Sequence, residues 1–122
     1  DADVSKMMAI MVADCYSAEE RQVFMQGLQT LQTRTQDKYK KEFLLLSSEQ
    51  RFEMLTLLDQ EARIYNNDKE SVPHYFSLIK QLVLFTFFTS EVGATQVLRY
   101  VAVPTYYDGD FPYKAGDRAW AT

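Results

Sequence analysis

The chain has 122 residues and a formal net charge of −4, and it is 47% apolar and 25% charged. That is the size and balance of one globular domain, able to sustain a core without cross-links. One cysteine and one histidine exclude an internal disulfide framework, a cysteine-based zinc cage and most histidine-rich metal sites. The acidic balance argues against a nucleic-acid partner, and no two of the four glycines have the spacing of a phosphate-cradling loop.

The pattern predicts an all-α single domain of about five helices, spanning residues 1–103, followed by an irregular aromatic tail over residues 104–122. The chain opens on Asp1, which reads as processing or trimming at its front, and no signal peptide is visible. Asp3 to Ala13 sets Val4, Met7, Met8 and Met11 on one side of a short amphipathic helix, with Ile10 at the border. Its methionines suit either core filling, the plainer reading, or an adaptable binding surface. Ser17-Ala-Glu-Glu20 is a capping box. It opens a helix from Ala18 to about Gln36 with Phe24, Leu28 and Leu31 inside and Val23 beside them. The cluster Lys38, Lys40 and Lys41 reads as a solvated turn. Phe43 to Leu46 reads as a buried apolar connector. Ser47-Ser-Glu-Gln50 repeats the capping logic for a third helix, from about Ser48 to Tyr65, lined by Phe52, Leu55, Leu58 and Ala62 and widened by Met54 and Leu57.

Asn66-Asn67-Asp68 begins a polar loop. Pro73 suits the first turn of a fourth helix, Pro73 to about Ser90. That helix is apolar almost all round, as befits one enclosed by its neighbours or by a partner chain. Its run Leu82 to Phe88 falls short of the about 20 residues that a membrane span needs. A shorter helix is expected from about Gly93 to Val101, capped by Glu91, and no strand pattern is visible. The tail holds two of the three prolines and two of the four glycines, which break regular structure. It also holds Tyr106, Tyr107, Phe111, Tyr113 and the sole tryptophan, Trp120. Tyr106 and Tyr107 are assigned to packing on the domain's own helices rather than to a partner. For Phe111, Tyr113 and Trp120 the two readings stand level, since aromatics are equally at home in interface cores.

The sequence is poor in chemistry. Cys15, at a helix junction, reads as a small buried hydrophobe, and His74 as a surface or cap residue; nothing local pairs them as nucleophile and base. Asp108-Gly-Asp110 reads as a turn, because a calcium loop needs more oxygen donors at fixed spacing. No flavin, nicotinamide or nucleotide motif is present.

Taken together, several segments carry a family likeness. They are Asp14-Cys15-Tyr16-Ser17, Gly27-Leu28, Phe43 with Leu46-Ser47, Gln50-Arg51, Phe88-Thr89-Ser90-Glu91-Val92-Gly93, Tyr100 and Pro104. Tyr107-Asp108-Gly109, Tyr113 and Gly116-Asp117-Arg118-Ala119-Trp120-Ala121 complete the set. The chain resembles the small subunit of the membrane-associated gluconate 2-dehydrogenases, the subunit 3 family, over nearly its whole length. The Thr-Ser-Glu-x-Gly stretch and the Gly-Asp-Arg-Ala-Trp-Ala tail are its most specific parts. Thr105 after Pro104 departs from relatives that carry glycine there, and the family's twin-arginine signal and proline-rich front segment are not seen.

The resemblance implies a helical subunit with no catalytic residues and no cofactor or metal of its own. Such a subunit accompanies a large flavoprotein dehydrogenase that carries FAD, often with a cytochrome c subunit, and assists its maturation, export or stability. It implies a periplasmic location, or one at the membrane through the partner. The residues assigned to the partner interface are Phe87, Phe88 and Glu91 at the end of the apolar helix and Phe111, Tyr113, Arg118 and Trp120 in the tail. The runner-up is a self-contained helical module that holds a small ligand between the apolar helix and the tail.

Overall fold

A computed structural model describes residues 2–67, 72–103 and 105–121; Asp68 and Pro104, read above as loop and tail start, lie outside them. The architecture is an all-α single-domain bundle with almost no strand. Four α-helices carry it: α1 (Val4–Asp14), α2 (Ala18–Tyr39), α3 (Ser48–Asn67) and α4 (Tyr75–Phe88). A fifth helical segment, a π-type turn, spans Gly93–Val97.

Both predicted capping boxes form. The Ser17 hydroxyl accepts from the Glu20 amide at 3.2 Å and the Glu20 carboxylate accepts from the Ser17 amide at 2.9 Å. Ser47 and Gln50 make the same exchange at 3.3 and 3.1 Å. Each pair satisfies two amides that a helix start otherwise leaves open. Helix α2 runs past Gln36 to Tyr39 and stops where Lys40 takes a left-handed conformation, φ 55°, whose amide donates to the Gln36 carbonyl.

Helix α4 is the element that the other three share. Leu78 and Leu82 join Val12 of α1 and Phe24 of α2 in one core cluster, with Met8 and Met11 packed against it. Phe76 joins Met54, Leu58 and Ala62 of α3 in a second, flanked by Leu31 and Tyr75. Gly27 permits the close approach of α2 to α4: a Cβ placed there would lie 2.5 Å from the Cβ of Tyr75. Exposed ion pairs tie the helices from outside, Arg34 to Glu61 at 2.5 Å, Lys38 to Glu53 at 2.7 Å and Lys80 to Asp59 at 2.5 Å. At that exposure they fix register more than they add stability.

Several expectations are corrected. Phe52 is 74% exposed, because the buried face of α3 is Met54, Leu58 and Ala62 at spacings of four, and Phe52 lies two residues off that line. Leu28 is exposed for a like reason, the inner line of α2 being Phe24, Gly27 and Thr35. In α1 the buried residue is Val12, and Met7 and Ile10 face out. The connector is a 3₁₀ turn, Phe43–Leu45, which buries only the following Leu46 and leaves Leu44 and Leu45 exposed. Cys15 is exposed. Pro73 precedes the fourth helix instead of entering it: His74 is the N-cap, its Nδ1 accepting from the Phe76 amide at 3.3 Å. The third helix extends to Asn67, past the expected end at Tyr65.

Past α4 the chain also departs from expectation. The helix expected to Val101 is cut short at Val97; Leu98 turns extended, and Arg99–Tyr100 forms a two-residue strand, β1, paired in parallel with β2, Trp120–Ala121. The Arg99 amide donates to the Ala119 carbonyl at 2.7 Å and the Val101 amide to the Ala121 carbonyl at 3.0 Å.

Candidate functional site

Two surface features are built from the residues singled out by sequence. The first lies on α4. Its apolar run is not enclosed: Phe76, Leu78, Leu82 and Thr86 point inward, while Val83, Leu84, Phe85 and Phe88 are 37%, 46%, 53% and 36% exposed. The Thr86 hydroxyl, fully inside, donates to the Leu82 carbonyl at 2.7 Å. Beside the outward face, Met7, Ile10 and Met11 of α1 meet Phe85 and Thr89 across a groove of about 350 Å³ whose rim carries Lys6.

The end of α4 is closed by hydroxyls. Thr89 and Ser90 donate to the carbonyls of Phe85 and Phe87 at 2.7 and 2.6 Å, and the Ser90 hydroxyl accepts from the Gly93 amide at 3.1 Å. The capping role expected of Glu91 therefore belongs to Ser90; the Glu91 side chain is exposed and its carbonyl accepts from the Thr95 hydroxyl at 2.7 Å. Gly93 is buried so tightly that a Cβ there would lie 1.9 Å from the Phe87 carbonyl oxygen. That is the physical content of the Thr-Ser-Glu-x-Gly stretch: two hydroxyls end one helix, and a glycine lets the next turn pass against it. Phe87 and Phe88 meet edge to face at 5.2 Å between ring centroids.

The second feature is the tail. Phe111 and Trp120 pair edge to face at 5.5 Å. The Arg99 guanidinium lies 4.5 Å from the centroid of Trp120 and 5.9 Å from that of Phe111, within cation–π range. Arg118 donates to the carbonyls of Gln96 and Leu98 at 2.8 and 3.4 Å, so it ties the tail to the segment after α4. Val101, Tyr106, Tyr107, Phe111 and Trp120 wall an open pocket of about 460 Å³. Its polar lining comes from Thr105 and Asp108. The Asp108-Gly-Asp110 turn forms as expected, with Asp108 Oδ1 accepting from the Asp110 amide at 3.0 Å. Tyr113 does not line the pocket and is 76% exposed. Tyr106 and Tyr107 are 75% and 94% exposed, against the expectation that they pack on the helices; the tail closes on residues 96–101 instead.

Of the seven residues assigned to a partner interface, the fold therefore brings Phe87, Phe88 and Glu91 to one end of α4, and pairs Phe111 with Trp120 under Arg118's anchorage. Arg99, Val101 and Thr105 were missed: no local periodicity marks a residue whose partner lies twenty positions later. The apolar groove of the first feature runs between α1 and α4, so the ligand site expected between the apolar helix and the tail is not where either cavity lies.

Two titratable groups with displaced pKa values sit at the start of α4. His74 is held between the rings of Tyr65 and Tyr75, at 5.4 and 4.3 Å. Burial lowers its pKa, and the nearby Arg34 charge acts the same way against an opposing pull from Glu61. Burial raises that of Tyr75, whose hydroxyl has no hydrogen-bond partner among the described residues. Among the described residues no group of three or more His, Cys, Asp or Glu side chains is placed to hold a metal ion, and no helix is long and apolar enough to cross a membrane.

No curated protein and no solved structure matches the chain significantly. A family model described as Gluconate 2-dehydrogenase subunit 3 matches residues 1–105. That range holds all four helices and the Thr-Ser-Glu-x-Gly turn, and it leaves the Gly-Asp-Arg-Ala-Trp-Ala segment outside. The chain therefore belongs to the gluconate 2-dehydrogenase subunit 3 family.

Proposed function

We propose that the chain is a non-catalytic accessory subunit that supports the maturation, export or stability of a flavin-dependent sugar or sugar-acid dehydrogenase. The observation that carries this reading is the outward face of α4. Phe85 lines an apolar groove with Met7 and Ile10 of α1, and Val83, Leu84 and Phe88 of the same helix are exposed as well, apolar exposure of the kind that marks a protein–protein contact. The family's name, that of a dehydrogenase subunit, supplies the kind of partner. In this reading FAD resides in the large subunit, a cytochrome c subunit accepts its electrons, and the complex works in the periplasm or at the membrane through the partner, following twin-arginine export. Phe87, Phe88 and Glu91 edge the docking face, and Tyr113 is the tail residue left for the partner. Phe111, Arg118 and Trp120 hold the tail's own shape.

Co-expression with the flavoprotein of the neighbouring gene tests the reading. A stable yellow complex is expected, and Leu84→Glu with Phe85→Glu abolishes co-purification while the helical circular dichroism is kept. Absence of association, together with normal flavoprotein export in a strain lacking this chain, overturns it.

A further inference from the structure

The tail pocket has a composition that the docking face lacks. Its walls are three kinds of aromatic ring, phenol, phenyl and indole, with Val101. Beside the two tyrosines its only polar lining residues are Thr105 and Asp108. At about 460 Å³ it lies within the range of small-molecule sites, roughly 300–1,000 Å³. We propose that this pocket binds a neutral, ring-closed sugar, its apolar face stacked on the aromatic rings and its hydroxyls bonded to Asp108 and Thr105.

The choice follows from what each class of occupant would meet. A purely aliphatic side chain would fill the rings but strip water from Asp108 and Thr105 without replacing their hydrogen bonds, which is costly for a charged acceptor. A cation would gain from Asp108 and from the rings. However, the Arg99 guanidinium already lies 4.5 Å from the Trp120 centroid without lining the pocket, and its charge opposes a second cation at that ring. An anionic sugar acid would be drawn by Arg99, but Arg99 does not line the pocket to bond it, whereas the Asp108 that would repel it does. A pyranose meets none of these objections: one of its faces is a patch of C–H groups, and its rim consists of hydroxyls that donate to a carboxylate and exchange bonds with a hydroxyl.

The site is also held in shape by bonds that do not depend on the ligand. Asp108 Oδ1 is engaged by the Asp110 amide, which orients the carboxylate. Trp120 is fixed by its strand pairing with Arg99 and by the edge contact of Phe111. Arg118 anchors the segment that delivers it. Phe111 and Trp120 nonetheless keep 47% and 49% of their surface exposed, so ring area remains for an occupant. The proposal does not rest on the docking reading, since no residue of the α4 face lines the pocket.

Trp120 is the only tryptophan in the chain, so its emission reports the pocket directly. The intact chain is titrated with D-glucose and a panel of neutral monosaccharides, with D-gluconate as the anionic comparator and choline as the cationic one. A saturable change in Trp120 emission with at least one neutral sugar is expected, with gluconate and choline much weaker. Asp108→Ala and, separately, Tyr107→Ala, at a residue 94% exposed and so harmless to folding, should each weaken binding about tenfold or more. Helical circular dichroism confirms that both variants fold. No saturable change with any neutral sugar overturns the proposal. So does choline or gluconate binding tighter than every sugar, or sugar binding that survives both substitutions. If the two substitutions instead weaken co-purification of the flavoprotein while no sugar binds, the pocket is part of the protein interface and the proposal likewise falls.

Discussion

The helical bundle and the tail hold their shape by different means. The bundle buries side chains: Leu58 is 0% exposed, and Leu46, Leu82 and Met54 are nearly so. Phe76 and Leu78, two residues apart on α4, link its two clusters. In the tail, by contrast, residues 105–120 are all exposed. Its shape comes from a two-residue parallel strand pair, one arginine donating to two carbonyls, and one cation lying over two rings. The first kind of structure resists substitution of surface polar groups and fails when a core volume changes. The second has almost no buried volume to lose and depends on a handful of directional contacts. The family match ends at residue 105, almost at the border between the two.

The sharpest way to break this contrast is to compare far-ultraviolet circular dichroism, which sees the helices, with the emission of Trp120, which sees the tail. Leu58→Ala removes the most buried side chain of the second cluster. It is expected to cost about 2–5 kcal/mol and to lower both signals together in urea. Gly27→Ala comes next. Its Cβ would fall 2.5 Å from Tyr75, and overpacking of that sort costs about 1–3 kcal/mol, again in both signals.

His74 gives a pH-dependent probe of the same region. Its Nδ1 caps α4 only while it lacks a proton, and its folded pKa lies below its ordinary value. The stabilisation is therefore complete above the unfolded pKa of about 6.5. It is lost as pH falls through that value towards the folded one, because the unfolded state takes up the proton first. His74→Asn keeps a capping acceptor and should flatten the dependence between pH 7 and 5, while His74→Ala should cost about 1 kcal/mol at neutral pH. Equal slopes in native protein and His74→Asn would move the titration to another group. The smallest global effect is expected for Arg118→Ala: under about 0.5 kcal/mol on the helical transition, but a red shift of Trp120 emission as the tail leaves residues 96–98. A matching loss of helical stability would show that the tail is part of the bundle after all.

Much of the bundle was legible in sequence because its signals are local. Ser17 with Glu20 and Ser47 with Gln50 mark their own helix starts, since capping is decided within four residues. The apolar run of α4 was visible too. Which of its faces would be covered was not, because that depends on where α1 ends relative to it. Phe52, Leu44 and Leu45 were misplaced for the same cause: an apolar residue declares what it prefers, not whether a neighbour reaches it. Of the candidate site, the Phe111–Trp120 pairing and the role of Arg118 were beyond local pattern. A strand of two residues has no period to detect, and its partner sits beyond two glycines and two prolines. Ser90 was overlooked as a cap in favour of Glu91, whose charge suits a helix start, whereas here the hydroxyl serves the end of one helix and the start of the next turn at once.

The pairing of Arg99 with residues 119–120 also sets an order of events. Every helix of the bundle lies N-terminal to Arg99, so all of the bundle's residues are synthesised before the strand's partner. Closing the intervening loop costs little more than closing one half as long, about 0.6 kcal/mol per doubling. The pocket therefore forms only after the chain has been made through Trp120. A chain that stops short of Trp120 lacks both the second strand and a wall of the pocket.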